Sequence, residues 1–253
     1  MYITFLGTGT SMGVPVAGGF GRETPTGDPR DDRYRTSAWV RTSEASIVID
    51  TGPEFRLQTL RAGIRNIDLL LFTHEHTDHI AGLDDLRPFN YVQKGSIPAY
   101  TTQSCINSIE TRFPYMFGQD KTPGSVTLDL RVLEKPIVYK DCTITPLPVD
   151  HNSLPVLGFR INDFSYITDA KFIPDKTLDR VRGSKVLVLN GLRWEPEHIT
   201  HITIPEAVEI ARALDIPKTY LVHISSFVNH SEVQAKLPPE VQLAYDQLTV
   251  RIP

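Results

Sequence analysis

Apolar residues along this 253-residue chain recur mostly in short runs rich in Val, Ile, Tyr and Phe. Many of these runs are bounded by Gly, Pro, Asn or Asp, which is typical of β-strands. The predicted strands are YITFL, SAWVRT, SIVID, IDLLLF, IPAYTT, TITPLPV, LGFRI, FSYIT, KVLVLN and TYLVHI. Three other segments repeat their apolar residues with helical spacing, which predicts helices at EFRLQTLRAG, SCINSIETRF and PEAVEIARAL.

The order of these elements predicts an α/β (α+β) protein. Two β-rich halves with interspersed helices favour two sheets that pack face to face and are covered by helices. The Pro- and Gly-rich segment 13–32 is interpreted as a long surface loop, because strands resume on both sides of it. We therefore interpret residues 1–253 as a single domain.

The composition is that of an ordinary globular protein, with 40% hydrophobic and 22% charged residues. A net charge of −4 argues against broad nucleic-acid binding through bulk electrostatics. No apolar run approaches the ~20 residues that a membrane-spanning helix needs, and the start MYITFLG lacks the basic residues of a signal peptide. The sequence predicts a cytoplasmic protein with no membrane partner.

The only cysteines are Cys105 and Cys142. They are too few for a disulfide framework or a cysteine-type structural zinc site. Because free cysteines are usually buried, we expect both to be packing residues. The aromatic run RFPYMF is also expected to pack in the core, with a pocket wall or a dimer contact as alternatives.

The stretch THEHTDHIAGL, which follows the apolar run IDLLLF, concentrates groups that bind metals. Alternate residues at a strand end point to the same side, so His74 and His76 should share one face. The following turn should bring Asp78 and His79 to a second point. This layout predicts two adjacent cations and differs from HExxH, in which two ligands on one helix face hold one metal. By the same alternation Glu75 should point away from the metals.

Two catalytic metals need about six or seven protein ligands, and the motif supplies only four of them. Three further candidates each end an apolar strand, namely His151 after TITPLPVD, Asp169 after FSYIT and His223 after TYLV. A polar residue at a strand end is common, but these three would all meet the motif at one rim of the two sheets. Histidine and carboxylate ligands suit both zinc and manganese, so we expect two divalent cations of either kind.

The motif resembles the THxHxDH signature of metallo-β-lactamase-fold hydrolases, and the resemblance covers nearly the whole chain. It implies a four-layer αββα sandwich. It also implies that the first metal is held by His74, His76 and His151 and the second by Asp78, His79 and His223, with Asp169 bridging. Asp50 in SIVIDTG matches a family aspartate that supports the metal loop, although it could equally cap the turn that follows.

The segments FLGTGTSMGVP and HITIPEA resemble the branch of that superfamily that holds tRNase Z and the PhnP-type phosphodiesterases. In this branch a histidine that matches His201 assists departure of the leaving group. Thr203 and Glu206 fit a capping box and Pro205 sits near the first helical position, so a helix should begin just after His201. That helix start would offer free N–H groups to an anion. His198 is interpreted as a surface histidine.

The stretches PLPVDHN, LVHIS and LAYDQL resemble PhnP, and the chain has no evident counterpart of the arm with which tRNase Z holds tRNA. Both features favour a small-molecule phosphodiester over nucleic acid as the substrate. Two departures from the branch are the missing cysteine-rich zinc site and the replacement of HISH by HISS, which places Ser226 where a second histidine would contact substrate. Arg33 and Arg35 are further candidates for a substrate phosphate, but we expect them to pair with nearby aspartates on the surface.

The expected reaction is hydrolysis of a small, linear or cyclic phosphodiester. Two cations would lower the pKa of a shared water from ~15.7 toward neutrality. Asp78 is assigned a catalytic role beside its metal-binding one, and His201 would stabilise or protonate the leaving alkoxide. Three alternatives stay open: a nuclease acting on RNA 3′ ends, a thioester or other acyl hydrolase, and a metal-binding protein without turnover. The sequence also leaves a homodimer open.

Overall fold

The computed structural model describes residues 1–21, 26–118 and 121–253. Its strands are β1 (Tyr2–Gly7), β2 (Ser37–Arg41), β3 (Ser46–Ile49), β4 (Leu69–Leu71), β5 (Ile97–Thr101), β6 (Leu128–Val132), β7 (Ile137–Tyr139), β8 (Cys142–His151), β9 (Leu154–Ile161), β10 (Phe164–Tyr166), β11 (Val186–Asn190), β12 (Lys218–Val222), β13 (Val241–Leu243) and β14 (Thr249–Arg251). Its α-helices are α1 (Phe55–Ala62), α2 (Thr77–Ile80), α3 (Arg87–Gln93), α4 (Gln103–Arg112), α5 (Asp175–Val181), α6 (Ile204–Ala213) and α7 (His230–Gln234). Short 3₁₀ segments lie at Ala17–Gly19, Pro29–Asp31, Leu83–Leu86 and Pro114–Met116.

The strands form two sheets of seven strands each. The first sheet has the order β14-β1-β2-β3-β4-β5-β6, and the second has the order β13-β12-β11-β10-β9-β8-β7. Strands β3 to β6 run parallel to one another, as do β10 to β13. The remaining pairings in each sheet are antiparallel.

Alternation along the strands builds three apolar layers. In β4, Leu69 and Leu71 belong to the core between the sheets, whereas Leu70 belongs to the outer core that also contains residues of α1 and α4. In β11, Val188 points into the central core and Leu187 into the outer core beneath α5, α6 and α7. Helices cover the outer face of each sheet, so both faces of each sheet are buried. The predicted four-layer αββα sandwich is confirmed.

Each of the ten predicted strands overlaps a strand of the structure, and each of the three predicted helices overlaps a helix. The strands that the sequence pattern did not predict are β6, β7, β13 and β14, and these are the edges of the two sheets. An edge strand is paired on one side only, so it needs fewer apolar residues. Its hydrophobic pattern is correspondingly weak, as the exposed or half-exposed positions of β7 and β14 show.

The two cysteines are core residues, as predicted. Cys105 and Cys142 are buried, and burial raises the pKa of their thiols to about 12 and about 11. From the run RFPYMF, Phe113, Tyr115 and Phe117 pack against the outer core of the first sheet. Residues 22–25 of the long loop 13–32 lie outside the described part of the chain. No helix among the described residues is both long enough and apolar enough to cross a membrane.

The strand directions bring one end of each sheet to a common rim. Strands β3 and β4 are parallel, so their carboxyl ends lie on the same edge of the first sheet. In the second sheet β8 is antiparallel to β9, and β9 is antiparallel to β10, so β8, β10 and the parallel strands β11 and β12 end together. The segments that follow these strand ends carry the predicted metal ligands.

Removing a side chain from the central core should destabilise the protein strongly. Leu71→Ala should lower the free energy of unfolding by about 2–5 kcal/mol, because it removes buried apolar contacts and leaves a cavity. The matched control is Leu60→Ala in α1, where the side chain is 62% exposed, and its effect should stay within about 0.5 kcal/mol. Denaturant unfolding of the three proteins measures the difference, and equal effects would contradict the assignment of Leu71 to the core.

Candidate metal centre

The motif residues lie in the segment that follows β4. The strand ends at Leu71, so His74 and His76 sit in irregular backbone, and strand alternation is not what places them together. Their ring centroids are nevertheless 4.5 Å apart. Asp78 and His79 lie on the short helix α2 and not in a simple turn, with His79 Nε2 3.2 Å from Asp78 Oδ2.

Glu75 points away from this cluster, as predicted. Its Oε1 atom accepts a hydrogen bond of 3.0 Å from Ser104 Oγ, and its backbone oxygen accepts one of 2.7 Å from the Arg112 guanidinium. Both partners belong to α4. These contacts attach the middle of the motif to the outer helical layer and leave the flanking histidines facing inward.

The second sheet supplies the remaining residues. His151 is the last residue of β8, and its ring centroid lies 5.3 Å from that of His76 and 6.0 Å from that of His74. His151 Nδ1 donates a hydrogen bond of 2.7 Å to the backbone oxygen of Thr200. Because a carbonyl can only accept, this bond puts the proton on Nδ1 and leaves the Nε2 lone pair for a metal.

Among the residues beside strand ends that have left-handed backbone, three lie in the cluster. This conformation is uncommon outside glycine. The three residues are Asp50, Asp169 and His223, with φ of 61°, 59° and 58°. Asp50 directly follows β3 and His223 directly follows β12, while Asp169 lies shortly after β10. Such conformations persist only where the surroundings enforce them and are frequent at functional sites. Here all three side chains are buried within the cluster.

Asp169 occupies the middle of the cluster. Its Oδ1 atom lies 3.3 Å from His223 Nδ1 and 3.5 Å from His79 Nε2. Its Oδ2 atom lies 3.4 Å from His201 Nε2 and 3.9 Å from His74 Nε2. The two oxygens of one carboxylate therefore face two different groups of histidines, which is the geometry that a bridging ligand requires.

The donor atoms fit divalent cations. Three groups have ligand atoms within 4.8 Å of one another, and they are Asp78, His79, Asp169 and His223; His74, His76 and Asp169; and His151, Asp169 and His201. Nε2 of His74 is buried without a hydrogen-bond partner among the described residues, and a buried polar atom left in that state is costly. A cation would provide the missing interaction, and the mixed imidazole and carboxylate set suits zinc or manganese.

Asp50 supports this centre from below. The residue is fully buried, and its Oδ1 and Oδ2 atoms each accept a hydrogen bond of 2.8 Å, from Thr73 N and Thr73 Oγ1 respectively. Its Oδ2 atom also lies 2.7 Å from His79 Nδ1. Since the carboxylate accepts the Nδ1 proton, His79 Nε2 is free to face Asp78 and Asp169. These contacts favour the supporting role of Asp50 over that of a turn cap.

The pKa values of the cluster reflect burial and close carboxylates. Burial raises the pKa of Asp50. Burial opposes protonation of His79, but Asp78, Asp169 and Asp50 outweigh it and raise the pKa of that imidazole well above its usual range. Burial and the neighbouring His79 lower the pKa of His74 well below its usual range. A cation at His79 would therefore displace a proton, so binding should release protons and weaken as the pH falls.

His201 lies at the edge of the cluster, on the segment between β11 and α6. Its ring is stacked on that of His223, with centroids 4.8 Å apart and planes 14° apart. The predicted helix start is confirmed, because Thr203 caps α6 and forms the capping box with Glu206. The interpretation of His198 as a surface residue is wrong. Its ring is partly buried, and its Nδ1 atom lies 3.2 Å from His201 Nδ1.

The predicted substrate contacts have partners within the chain. Ser226 is buried, and its Oγ donates to the backbone oxygen of Phe20 at 3.2 Å. Arg33 is only 2% exposed and donates to Thr8 Oγ1 and the Ala244 backbone oxygen, so the expected surface location is wrong for this residue. Arg35 pairs with Glu54. A role of Ser226, Arg33 or Arg35 toward substrate stays a prediction.

Several hydroxyl groups near the cluster were not found from the sequence. Thr10 Oγ1 lies 3.3 Å from His223 Nε2, and Thr36 Oγ1 lies 3.4 Å from His223 Nδ1. Thr73 Oγ1 lies 3.0 Å from His74 Nδ1. The adjacency of Thr73 and His74 was the only signal for these contacts, since Thr10 and Thr36 reach the centre from distant parts of the chain.

Known proteins resemble the chain in sequence and in structure. Residues 45–224 match the model of the beta-lactamase superfamily domain. The crystal structure of a new diphosphatase from the PhnP family superposes with a TM-score of 0.91 at 35% identity, covering 100% of this chain and 98% of that one. A ribonuclease Z of Mycobacterium sp. strain KMS is 26% identical over 244 residues, which are 78% of this chain and 81% of that protein.

An octanoyltransferase of Porphyromonas gingivalis strain W83 is 36% identical over 252 residues. The match takes in 98% of this chain but only 51% of that protein. The chain thus spans about half the length of this relative. The other half of the relative has no counterpart here, so its name describes a protein larger than the shared part.

The two halves of the cluster should lose metal separately. Asp78→Ala should reduce bound metal from about two equivalents to about one, because it removes a ligand from one group only. Glu75→Gln is the matched control, since this neighbouring carboxylate faces Ser104, and it should keep both equivalents. Elemental analysis of protein purified without chelator gives the count. A wild-type protein that never exceeds one equivalent at saturating metal would contradict a dinuclear centre.

Asp50 should matter for metal affinity although it faces away from the cations. Asp50→Asn places an amide where the carboxylate accepts the His79 Nδ1 proton, so metal affinity should fall roughly 10–100-fold. Asp141→Asn is the control, because Asp141 is exposed and precedes β8 at the end of that strand opposite to His151. Competition with a chromogenic chelator measures both variants. Equal affinities for Asp50→Asn and wild type would remove Asp50 from the centre.

Proposed function

The chain belongs to the beta-lactamase superfamily, and from that premise we propose that it is a metal-dependent phosphodiesterase acting on a small, linear or cyclic phosphodiester. The observation that carries the proposal is the position of His201. Its Nε2 atom lies 3.4 Å from the Asp169 carboxylate, whose other oxygen faces His79 and His223. An imidazole that can give up a proton thus stands beside two candidate cation sites.

We assign the cluster residues to two sites. His74, His76 and His151 would hold one cation, Asp78, His79 and His223 would hold the other, and Asp169 would bridge them. When bound, the two cations would supply Lewis acidity toward a phosphoryl oxygen and an acidified water as the nucleophile. Asp78 would have a double role in this scheme, because a carboxylate that binds a cation can also accept a hydrogen bond from such a water.

His201 would act on the leaving group. A phosphodiester whose phosphorus faces Asp169 would be able to present its leaving oxygen to His201, whose Nε2 atom lies 3.4 Å from that carboxylate. A protonated Nε2 could then donate to the departing alkoxide, which is a poor leaving group when it stays charged. The His201 ring is stacked on the ring of His223, which restricts its movement. This division leaves metal binding to the seven other residues.

The relatives support chemistry at phosphorus. One is named a diphosphatase and another a ribonuclease Z, and both names denote hydrolysis of phosphate linkages. The second candidate function of this protein is that of a ribonuclease, which the match to ribonuclease Z favours. The third candidate function is hydrolysis of an acyl substrate. Its support is the similarity to the octanoyltransferase, of which the chain spans only about half the length. A net charge of −4 weighs against the RNA substrate.

A substrate panel separates these candidates. The panel contains bis-p-nitrophenyl phosphate, cyclic nucleotides, a pre-tRNA with a 3′ trailer, an octanoyl thioester and nitrocefin, each tested with zinc- and manganese-loaded protein. We expect turnover of the small phosphodiesters. Turnover of the thioester or the lactam without phosphodiester cleavage would overturn the proposal. A strong preference for the RNA, with a KM that rises steeply with salt, would favour the nuclease instead.

Removing His201 tests its assignment to the leaving group. His201→Ala should retain both metals while kcat falls roughly 10²–10⁴-fold on a cyclic nucleotide, whose leaving group is a ribose alkoxide. The loss should be smaller on bis-p-nitrophenyl phosphate, because p-nitrophenolate departs without protonation. Metal content, kcat and KM are measured on the same preparations. Loss of metal would instead identify His201 as a ligand, which its closeness to His151 and Asp169 would allow.

A further inference from the structure

The ring of His201 has one nitrogen toward the metal centre and the other toward its own segment. Nε2 lies 3.4 Å from Asp169 Oδ2. On the opposite side, Nδ1 lies 2.8 Å from Thr200 Oγ1 and 3.2 Å from His198 Nδ1. The ring thus has polar neighbours at both nitrogens. Of the two neighbours at Nδ1, Thr200 also accepts a hydrogen bond from His151 through its backbone oxygen, whereas His198 reaches the cluster through His201.

Donor and acceptor roles on the Nδ1 side follow from one backbone contact. His198 Nδ1 lies 3.4 Å from the backbone N of Thr200 and 3.0 Å from Thr200 Oγ1. A backbone N–H can only donate, so His198 Nδ1 carries a lone pair and the ring proton of His198 sits on Nε2. Burial and the neighbouring His201 lower the pKa of His198, which also favours its neutral form.

The contact between the two rings then has one direction. Because His198 Nδ1 is an acceptor, a hydrogen bond between the two rings has to be donated by Nδ1 of His201, which also lies 2.8 Å from Thr200 Oγ1. Without this bond the ring of His201 could turn about its last side-chain torsion, which is broad and roughly two-fold in histidine. The hydrogen bond made by one imidazole nitrogen decides how the other nitrogen is presented. Here it presents Nε2 to Asp169.

We propose that His198 is a positioning residue, which accepts the Nδ1 proton of His201 and so holds the Nε2 atom of that ring toward the reacting phosphate. Thr200 completes the arrangement, with its hydroxyl between the two Nδ1 atoms. His198 itself touches neither substrate nor a metal ligand in this scheme. The inference rests on the proposed function, because it concerns the histidine assigned to the leaving group.

Three substitutions at two positions test the role of His198. His198→Ala removes the acceptor, and His198→Asn restores one, since the Asn Oδ1 atom can stand where Nδ1 stands. Ile199→Ala is the matched control from the same segment, because that side chain is 80% exposed. All proteins are loaded with zinc or manganese and assayed on a cyclic nucleotide and on bis-p-nitrophenyl phosphate. Metal content is measured for each.

We expect His198→Ala to lower kcat on the cyclic nucleotide roughly 10-fold, the effect of one lost hydrogen bond to a group that must be aligned. KM and metal content should stay near wild type, and the loss on bis-p-nitrophenyl phosphate should be smaller. His198→Asn should recover most of the rate, and Ile199→Ala should keep all of it. In a His201→Ala background the His198→Ala change should have no further effect.

The outcomes separate this inference from the proposed function. If His201→Ala slows the cyclic nucleotide and His198→Ala does not, the positioning role is overturned while the phosphodiesterase stands. An equal loss from His198→Ala with and without His201 would also overturn it, because the effect would not pass through His201. If wild type cleaves no phosphodiester, the proposed function fails, and nitrogen NMR of the zinc-loaded protein tests the contact alone. His198→Ala should then shift the His201 Nδ1 signal, and an unchanged signal would overturn the inference.

Discussion

The metal centre depends on a carboxylate that takes no part in it directly. Asp50 is fully buried, and a charge in that position is tolerated only with several hydrogen bonds. Thr73 and His79 provide them, so the end of β3 is attached both to the start of the motif segment and to α2. These three hydrogen bonds offset the burial of the Asp50 carboxylate, and the one with His79 also orients the ring of that candidate ligand. The motif segment is not itself a strand, so these contacts add to the hydrogen bond that Thr73 O accepts from Leu157 N of β9 in fixing its start.

The architecture explains why the ligands come from both halves of the chain. In each sheet a set of parallel strands ends at the same rim, and the central core faces of the two sheets lie against each other. Residues after β4 therefore approach residues after β8, β10 and β12 across the gap between the sheets. Asp169 belongs to the second sheet, yet it lies within 4 Å of His74 and His79 from the first. The cluster is therefore complete only when the two sheets are packed against each other.

The sequence predicted most of this arrangement, and the physical reasons for its failures differ. Buried strands carry dense apolar runs, so all ten predicted strands are present. The four strands that were missed are the sheet edges, and exposed positions weaken the apolar pattern of β6, β7 and β14, whereas β13 is only three residues long. The histidines and aspartates predicted as ligands follow apolar runs, and the structure brings them together in one cluster. Arg33 was misplaced, since one sequence cannot reveal that a charged residue is buried beside Ala244 and His230, far along the chain. His198 was misread for the same reason, as its partner is visible only when the segment is folded.

Thr200 shows how one residue can align two functional groups. Its backbone oxygen accepts the Nδ1 proton of His151, and its hydroxyl lies 2.8 Å from His201 Nδ1. The first contact leaves Nε2 of His151 free to face the cluster, and the second lies on the side of the His201 ring opposite to Asp169. Because both contacts come from a single residue, the segment cannot shift relative to one histidine without shifting relative to the other. The distance between the proposed metal ligand His151 and the proposed proton donor His201 is therefore set by this segment, and not by either ring alone.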